Sequence, residues 1–268
     1  MLELGRALHA LGSASYRVED AMDACCRRFG LRGSFFATPT AIFAAIGPEG
    51  AKPETSLLRV RPGEHDLGKL AALYDVRDAV MQGKVDAAEG LRRLAEVMTG
   101  PPTQSAWRRI PAWSVSSAAA ALFLGGGAAE MVVACLTGLV VAIVAALLDR
   151  RRHLGRVTEP TCCALAAFAI QAAGARIHLD TSTAVVASIV PLLPGLTFTT
   201  ALAELAVQHL AAGSARLLGS VAVLLTMAVG IGIGTHVGVV AFGDRPEHRK
   251  STRLNSSHSS VSRMPSSA

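Results

Sequence analysis

The chain has 268 residues, of which 51% are hydrophobic and 17% are charged, and its formal net charge is +6. The first 113 residues hold 15 of the 26 Lys and Arg and 13 of the 20 Asp and Glu, whereas the next 130 residues are nearly free of charge. The excess positive charge lies mainly in one short loop and the last 26 residues, without interleaved aromatic residues, so it does not indicate a nucleic-acid partner. This division predicts a soluble domain of ordinary size followed by a membrane domain.

The chain begins with a predicted helix. Apolar residues recur in steps of three and four through most of residues 2–29, and Gly30 follows as the expected end. Gly12 and Ser13 are weak helix formers within this stretch and predict a kink or a close approach by another element. Early acidic residues, without a basic segment before an apolar run, exclude a secretory signal peptide, so we expect the first domain to be cytoplasmic.

The rest of residues 1–113 carries strand signals and then helix signals. Two short apolar runs, SFFATPTAIFAAIG and TSLLRVRPG, predict two or three antiparallel strands, with Pro39 dividing the first run. Asp66 predicts the start of a helix, and Asp86 with Glu89 predicts a capping box at the start of another. The order of helix, strands and helices predicts a small cytoplasmic α+β domain.

Residues 114–242 are predicted to form a five-helix transmembrane bundle, which makes the fold class a mainly α membrane protein. The apolar stretches are 110–129, 131–148, 160–175, 181–203 and 217–242. The arginine-rich loop 150–156 is expected to be cytoplasmic, so the first span runs outward and the fifth ends outside. Residues 243–268 are serine-rich without periodicity, and we expect them to be a disordered tail of artefactual origin. The basic residues of this tail favour a cytoplasmic location, which opposes the prediction that the fifth span ends outside.

The fourth stretch, TSTAVVASIVPLLPGLTFTTALA, has 23 residues without a charge and is interrupted by Pro191, Pro194 and Gly195. Proline removes a backbone donor and clashes with the preceding turn, so we expect a helix that is broken at mid-membrane. Broken helices expose backbone groups to polar solutes in transporters. We therefore interpret these three residues as a substrate site, against the alternative that they only kink a packed helix.

Polar side chains follow the break. Thr197, Thr199 and Thr200 can hydrogen-bond a hydroxylated substrate, but threonines on membrane helices more often bond their own backbone or a neighbouring helix, which is the interpretation we favour. If Glu204 is buried, it carries a proton or pairs with a substrate ammonium group. If it lies at the interface, it is a solvated charge at the end of the span. Arg216 either pairs with Glu204 or anchors the fifth span at the interface, and we favour anchoring.

Two further residues are candidates for the substrate pathway or for proton coupling. Gln171 is the strongly polar group of the third span, and His236 can titrate near neutral pH, although a lone histidine is more often structural. The glycines around His236 predict close helix packing. The five cysteines lack metal-ligand spacing, so we expect neither a metal nor a cofactor. Catalytic signatures such as G-x-S-x-G and H-E-x-x-H do not occur, so we do not expect an enzyme.

Four segments together resemble the threonine/serine exporter family: GSASYRVEDAMD, SFFATPTAIFAAI, LLRVRPGEHDLGKLAAL and PLLPGLTFTTALAEL followed by GSARL. They occur in the family's order and at plausible spacing, and the resemblance covers about residues 1–242. It implies a cytoplasmic domain, five membrane helices and a second five-helix domain, which is fused or supplied by a partner subunit. That second domain is missing here, so we expect a two-subunit type or a truncated fusion, and the change to tail-like sequence favours truncation.

The resemblance implies a component of a secondary transporter in the plasma (inner) membrane. We expect it to export small polar metabolites, with threonine or serine as the first candidates, by proton-coupled alternating access around the broken fourth span. Some two-subunit relatives are associated with succinate export, so a dicarboxylate is an alternative substrate. Two competing hypotheses are a membrane-anchored hydrolase with its chemistry in residues 1–113 and a regulatory subunit that does not transport.

Overall fold

The structure is a computed structural model that describes residues 1–60, 65–149 and 157–243. These residues are mostly helical and contain one three-stranded sheet, which confirms the mainly α class with a small β component. The predictions for the arginine-rich loop at 150–156 and for the tail from residue 244 onward lie outside the described residues.

The first predicted helix is two helices, α1 (Leu2–Ala10) and α2 (Ser15–Arg28). Gly12 separates them because its φ of +83° lies in the left-handed region that ends helices. The Gly12 N–H donates to the His9 carbonyl and the Ser13 N–H to the Leu8 carbonyl, which closes the last turn of α1. The predicted kink is therefore a full break, and the prediction of one continuous helix was wrong.

The strands form an antiparallel sheet in the order β1 (Leu31–Thr38), β2 (Ala41–Pro48) and β3 (Glu54–Arg59). Thr38 pairs with Ala41, so Pro39 lies in the two-residue turn of the first hairpin. The prediction of two or three antiparallel strands is confirmed, with three observed among the described residues.

Two helices complete the N-terminal region: α3 (Leu67–Met81) and α4 (Ala87–Thr99). The Asp66 side chain accepts a hydrogen bond from the Lys69 N–H at 3.0 Å, which confirms it as the N-cap of α3. The Asp86 side chain caps α4 in the same way, accepting from the Glu89 N–H at 2.8 Å.

Six α-helices follow in the described residues after α4. They are α5 (Ala106–Phe123), α6 (Ala128–Asp149), α7 (Thr158–Gly174), α8 (Thr181–Ile189), α9 (Gly195–Ala206) and α10 (Leu210–Phe242). In the described ranges, α6 and α10 are each long and apolar enough to cross a membrane, and α8 with α9 makes a third span if the bent pair is counted as one. The five-helix bundle stays a prediction, because α5 and α7 do not meet the same criterion of length and composition.

Contacts within the chain divide it into two compact units. The first comprises Met1–Arg109 and Leu192–Thr226, and the second comprises Ile110–Pro191 and the described part of 227–268. The segment with α9 and the beginning of α10 thus belongs to the same unit as α1–α4 and the sheet. The domain boundary that the sequence predicts at residue 113 stays a prediction.

The core of the first unit is built from large side chains between α1–α4 and the sheet. Its fully buried members include Leu8, Met22, Ile42 and Leu73. This is an ordinary hydrophobic core, in which burying each of these side chains contributes about 1.5–3 kcal/mol.

The helices of the second unit pack through small residues. A Cβ on Gly230 would collide with the carbonyl of Pro160, and one on Gly234 would collide with the carbonyl of Ala164. A Cβ on Gly232 would meet no atom within 4 Å. Gly230 and Gly234, which are four residues apart, therefore let α10 approach α7 closely, which confirms the predicted glycine packing.

Candidate functional site

The backbone is broken at the proline cluster, as the sequence predicts. Pro191 lies in a 3-10 turn, Val190–Leu192, and Pro194 precedes the first residue of α9, Gly195. The Gly195 N–H donates to the Leu193 carbonyl at 2.7 Å. The continuous series of backbone hydrogen bonds that an unbroken helix would have is therefore interrupted here, and a new helix, α9, begins at Gly195.

The threonines after the break differ in their contacts. Thr199 Oγ1 donates to the carbonyls of Gly195 and Leu196, each at 3.0 Å, so this hydroxyl bonds its own helix, as we favoured for all three threonines. Thr197 and Thr200 are half-buried, and the described part of the chain offers their hydroxyls no hydrogen bond that the structure records.

Glu204 is fully buried in the first unit and forms an ion pair with Arg216. Its Oε1 accepts hydrogen bonds from the Arg216 Nε–H at 3.1 Å and from the backbone N–H of Ser15 at 2.7 Å. The side chains of Glu204 and Arg216 are 0% and 6% exposed. The alternative of a solvated end charge for Glu204 and the expected interfacial anchoring of Arg216 were both wrong. Each charge satisfies the other where water is excluded.

The same carboxylate caps α2. Ala14 occupies the N-cap position of α2 and has no side-chain acceptor for the free amides of the first turn. Glu204 supplies that acceptor from α9, and its negative charge complements the positive end of the helix dipole. Arg216 Nη2 donates to the Ser13 carbonyl at 3.1 Å, just before the cap. We refer to Ser13, Ser15, Glu204 and Arg216 as the Glu204 cluster.

The tight link between α9 and α10 brings the ion pair together. Gln208 has a φ of 65°, which is unusual for a residue with a side chain, and the His209 N–H donates to the Glu204 carbonyl at 2.9 Å. A Cβ on Gly213 would meet the Ala201 carbonyl oxygen at 3.0 Å, so only glycine permits this approach of α10 to α9. The turn therefore places Glu204 and Arg216, twelve residues apart, side by side.

Two titratable groups on α2 and the α9–α10 link lie near the cluster. Glu19 Oε1 accepts from the Ala37 N–H at 2.7 Å and lies 3.7 Å from His209 Nδ1. Burial raises the pKa of the Glu19 carboxyl, and the Ala37 amide and His209 oppose that shift. The rings of Tyr16 and His209 have centroids 6.0 Å apart.

Two histidines of the first unit approach the same region. His9 is 1% exposed, and its Nε2–H donates to the Thr38 carbonyl at 2.6 Å. Burial lowers the pKa of His9, and the positive charge of Arg216 lowers it further. Burial also lowers the pKa of His65, again with Arg216 as a second cause. Both imidazoles are therefore neutral at physiological pH.

The remaining candidates lie in the second unit. Gln171 lines a cavity of about 780 Å³ together with polar residues that include Glu130, Asp180 and Thr235. His236 is exposed on α10 and does not line this cavity. The structure thus groups Glu204 with Arg216 in one unit and Gln171 with a polar cavity in the other. Among the described residues, no group of three His, Cys, Asp or Glu is placed to hold a metal ion.

Comparison with known proteins identifies the family. The family model described as "Putative threonine/serine exporter" (ThrE) matches residues 1–238. The chain belongs to the threonine/serine exporter family. The match includes the sheet, the break and the Glu204 cluster, so the features described above fall within the exporter-family region.

Two curated relatives extend the comparison. An uncharacterized protein of Schizosaccharomyces pombe, C7D4.12c, is 25% identical over 243 residues, covering 87% of this chain and 32% of its own length. Pheromone-regulated membrane protein 10 of Saccharomyces cerevisiae is 23% identical over 240 residues, covering 88% of this chain and 31% of its own length. The chain spans about a third of the length of the curated relatives it matches. No solved structure matches this exporter-family chain significantly.

Sequence reasoning missed the contributions of α1 and α2 to the site of this exporter-family chain. His9 occurs in the apolar stretch ALHALGSAS, where a polar residue flanked by apolar ones was an available signal. Ser15 binds Glu204 through its backbone amide across a separation of 189 residues, and no local pattern encodes such a contact. The family motif GSASYRVED contains both Ser13 and Ser15, but their partners are visible only in the fold.

Proposed function

We propose that this chain is a component of a secondary transporter that exports small polar metabolites, with threonine and serine as substrates and protons as the coupling ion. The observation that carries the proposal is the complete burial of Glu204, nine residues beyond Gly195 on the helix that follows the break. A buried carboxylate beside a broken apolar helix is typical of an ion or substrate pathway. The membership in an exporter family supports this interpretation.

The proposed mechanism is alternating access around the break. Backbone groups near Pro191, Pro194 and Gly195 would bind the charged ends of an amino acid, and the hydroxyls of Thr197 and Thr200 would bind its side chain. Glu204 would accept a proton or the substrate ammonium group, at the expense of its ion pair with Arg216. Gln171 is proposed as a pathway residue because it lines a polar cavity. His236 is the weaker candidate for coupling because it is exposed.

The proposed setting is the plasma membrane. Five spans would follow a cytoplasmic N-terminal domain, and a second five-helix domain or subunit would complete the pathway, as the family resemblance implies. Co-reconstitution with such a second domain should raise the rate of threonine efflux. A full rate from this chain alone would contradict the proposed partner.

Export from proteoliposomes tests the function. Vesicles that contain the chain and labelled threonine should release it faster when the outside is acidic, and an uncoupler should remove the acceleration. Excess serine should compete, whereas succinate should not. An equal rate of threonine release with and without the uncoupler would contradict proton coupling. Competition by succinate instead of serine would indicate a dicarboxylate substrate in place of the proposed amino acids.

The Glu204→Gln variant tests the proposed coupling residue. The amide retains the size of the side chain but cannot exchange a proton near neutral pH, so the proton gradient should no longer accelerate export. The matched control is Glu89→Gln, which removes a half-buried carboxylate that pairs with Arg92 and Arg93 on α4. Unchanged gradient dependence in Glu204→Gln would remove Glu204 from the mechanism.

A further inference from the structure

The first unit contains a cavity of about 900 Å³ between α1, α4 and the end of the sheet. Its described lining includes none of the residues that we propose for transport. Sites for small organic ligands are concave, measure about 300–1,000 Å³ and are lined mostly by apolar side chains with a few polar groups. The cavity therefore has the size of a ligand site that is separate from the broken helix.

Two helices supply its side walls through residues that recur at each helical turn. On α1, Arg6 and Ala10 are four residues apart, and on α4, Leu91, Ala95 and Met98 follow one another in steps of four and three. Residues at these spacings share one face of a helix. Leu91 is 49% exposed, so the fold leaves part of this apolar face uncovered.

Backbone hydrogen bonds place the end of the sheet against the end of α1. His9 near the end of α1 donates to the Thr38 carbonyl at 2.6 Å, which holds α1 beside the first hairpin turn. The Val60 N–H donates to the Thr40 carbonyl in that turn at 3.0 Å. Arg59, the last residue of β3, is thereby brought to the same cavity as α1.

The lining is apolar where it is buried and charged where it is exposed. Ala7, Val60 and Leu94 are buried, with at most 8% of each residue exposed. Arg6 and Arg59 are exposed, so both guanidinium groups remain accessible from water. This arrangement suits a ligand with an apolar body and one charged group, because the body leaves water while the charge keeps polar partners.

The charges of the lining favour an anion. Among the described lining residues, the charged ones are Glu3, Arg6 and Arg59, which leaves one net positive charge. Arg6 and Glu3 lie 3.9 Å apart with side chains 60% and 58% exposed, and such a pair contributes little, so Arg6 can exchange it for a ligand. Within the described ranges, the structure records no ion pair or hydrogen bond of the Arg59 side chain.

We propose that this cavity binds an organic monocarboxylate with an apolar body. Arg6 and Arg59 hold the carboxylate, and the body lies against Leu91, Ala95 and Met98. The guanidinium group is suited to carboxylates, to which it donates strong hydrogen bonds between charged groups. This ligand site goes beyond the proposed export function, for which it is not required.

The net charge of the lining distinguishes a carboxylate from a phosphate ester. A carboxylate carries one negative charge at neutral pH and matches the single net positive charge, whereas a phosphate monoester carries about 1.5 to 2. The second negative charge of a phosphate would face Glu3 without a partner among the described lining residues. We therefore expect carboxylates to bind more tightly than phosphate esters of the same body.

Equilibrium dialysis with labelled 4-phenylbutyrate tests the site in the full chain in lipid nanodiscs. Binding should be saturable after subtraction of the uptake by empty nanodiscs. Butyrate, which lacks the ring, and 4-phenylbutanamide, which lacks the charge, should each compete at least about tenfold more weakly than unlabelled 4-phenylbutyrate. The absence of saturable binding would overturn the proposal. Stronger competition by phenyl phosphate would overturn the assignment to carboxylates.

Charge variants locate the carboxylate. Arg6→Gln and Arg59→Gln should each weaken binding about tenfold, the size expected for the loss of a hydrogen bond between charged groups. Glu3→Gln should strengthen binding about threefold, because it removes the carboxylate that competes for Arg6. Arg32→Gln is the matched control, since Arg32 is an exposed arginine of the sheet that pairs with Glu49 and does not line the cavity. Unchanged affinity in both Arg6→Gln and Arg59→Gln would overturn the proposal.

A filled cavity provides a test that does not depend on charge. Ala95→Phe adds a ring on the cavity face of α4 and should weaken binding at least about tenfold. Ala88→Phe is the matched control, because Ala88 is exposed on the same helix but does not line the cavity. Normal binding by Ala95→Phe would overturn the proposal. If Ala95→Phe does not fold, the variants of the exposed residues Arg6 and Arg59 decide the outcome.

The outcome is independent of the transport assay. Binding of 4-phenylbutyrate without threonine export would leave the carboxylate site intact and contradict the proposed function. Threonine export without that binding would overturn the carboxylate site alone.

Discussion

The two compact units bury different kinds of residue. The first unit encloses Leu8, Met22, Ile42 and Leu73 between helices and a sheet, whereas the second packs helices through alanines and glycines such as Ala134, Ala187 and Gly234. Large side chains gain free energy when they leave water, but lipid chains are as apolar as leucine and provide no such gain between helices. The difference indicates that the first unit is held mainly by burial and the second by close backbone approach.

The first unit also contains a buried ion pair, which burial of apolar surface does not explain. Glu204 Oε1 accepts hydrogen bonds from Arg216 and from the Ser15 backbone N–H, and Arg216 also donates to the Ser13 carbonyl. A buried pair contributes little net stability, yet removing one partner is costly. The pair therefore makes the attachment of α9 and α10 to the α1–α2 turn sensitive to any change in charge.

The largest expected effect comes from breaking that pair. Arg216→Met leaves the Glu204 carboxylate buried and unpaired, which should lower the free energy of unfolding by about 3–5 kcal/mol, measured by denaturant titration in detergent micelles. The double variant Glu204→Met/Arg216→Met removes both charges and should recover at least half of that loss. Equal costs for the single and double variants would contradict the burial of the pair.

Core truncation should be the next largest effect. Leu73→Ala in α3 deletes a fully buried side chain in the first unit and should cost about 2–5 kcal/mol, from lost transfer free energy and a residual cavity. Leu67→Ala at the start of the same helix is the control, because Leu67 is 61% exposed. Similar midpoints for the two variants in thermal unfolding would show that the core of the first unit lies elsewhere.

An added methyl group probes the close packing of the second unit. Gly234→Ala should cost about 1–3 kcal/mol, because the new Cβ collides with the Ala164 carbonyl and α10 must move away from α7. Gly232→Ala, with nothing within 4 Å of its Cβ, should be neutral or slightly stabilising. The comparison between the units fails if both variants unfold at the same temperature as the unmodified chain.

The smallest effect is a stabilisation. Gln208 adopts a left-handed φ of 65° after α9, where glycine has no steric cost, so Gln208→Gly should raise the free energy of unfolding by about 0.5–1 kcal/mol. Gln82→Gly is the matched control, because Gln82 ends α3 with a φ of −80° and should lose stability instead. A destabilised Gln208→Gly variant would contradict the strained turn that positions Glu204.

The elements that the sequence predicts correctly are those encoded by nearby residues. Asp66 and Asp86 cap helices within three residues, the Pro39 turn joins neighbouring strands, and the proline cluster breaks its own helix. The family motifs likewise indicate the exporter family, which the family match confirms. These features need no information about distant parts of the chain.

The features that the sequence misjudges depend on contacts between distant residues. Glu204 was left open between buried and solvated, and Arg216 was assigned to the interface, because nothing local indicates the Ser13 and Ser15 backbone groups that receive them. The break at Gly12 was predicted only as a kink. The close approach of another element was also predicted there, and the His65 ring makes it, although a sequence pattern cannot identify which residue that is.

Substrate protection at the break tests the transporter account most directly. In a cysteine-free chain, Leu196→Cys lies one residue after Gly195, and Leu202→Cys provides a control on the same helix, since both leucines are 47% exposed. Threonine should slow maleimide labelling at position 196 and leave position 202 unchanged, with serine acting like threonine. Equal labelling rates at position 196 with and without either amino acid would contradict a substrate site at the broken helix.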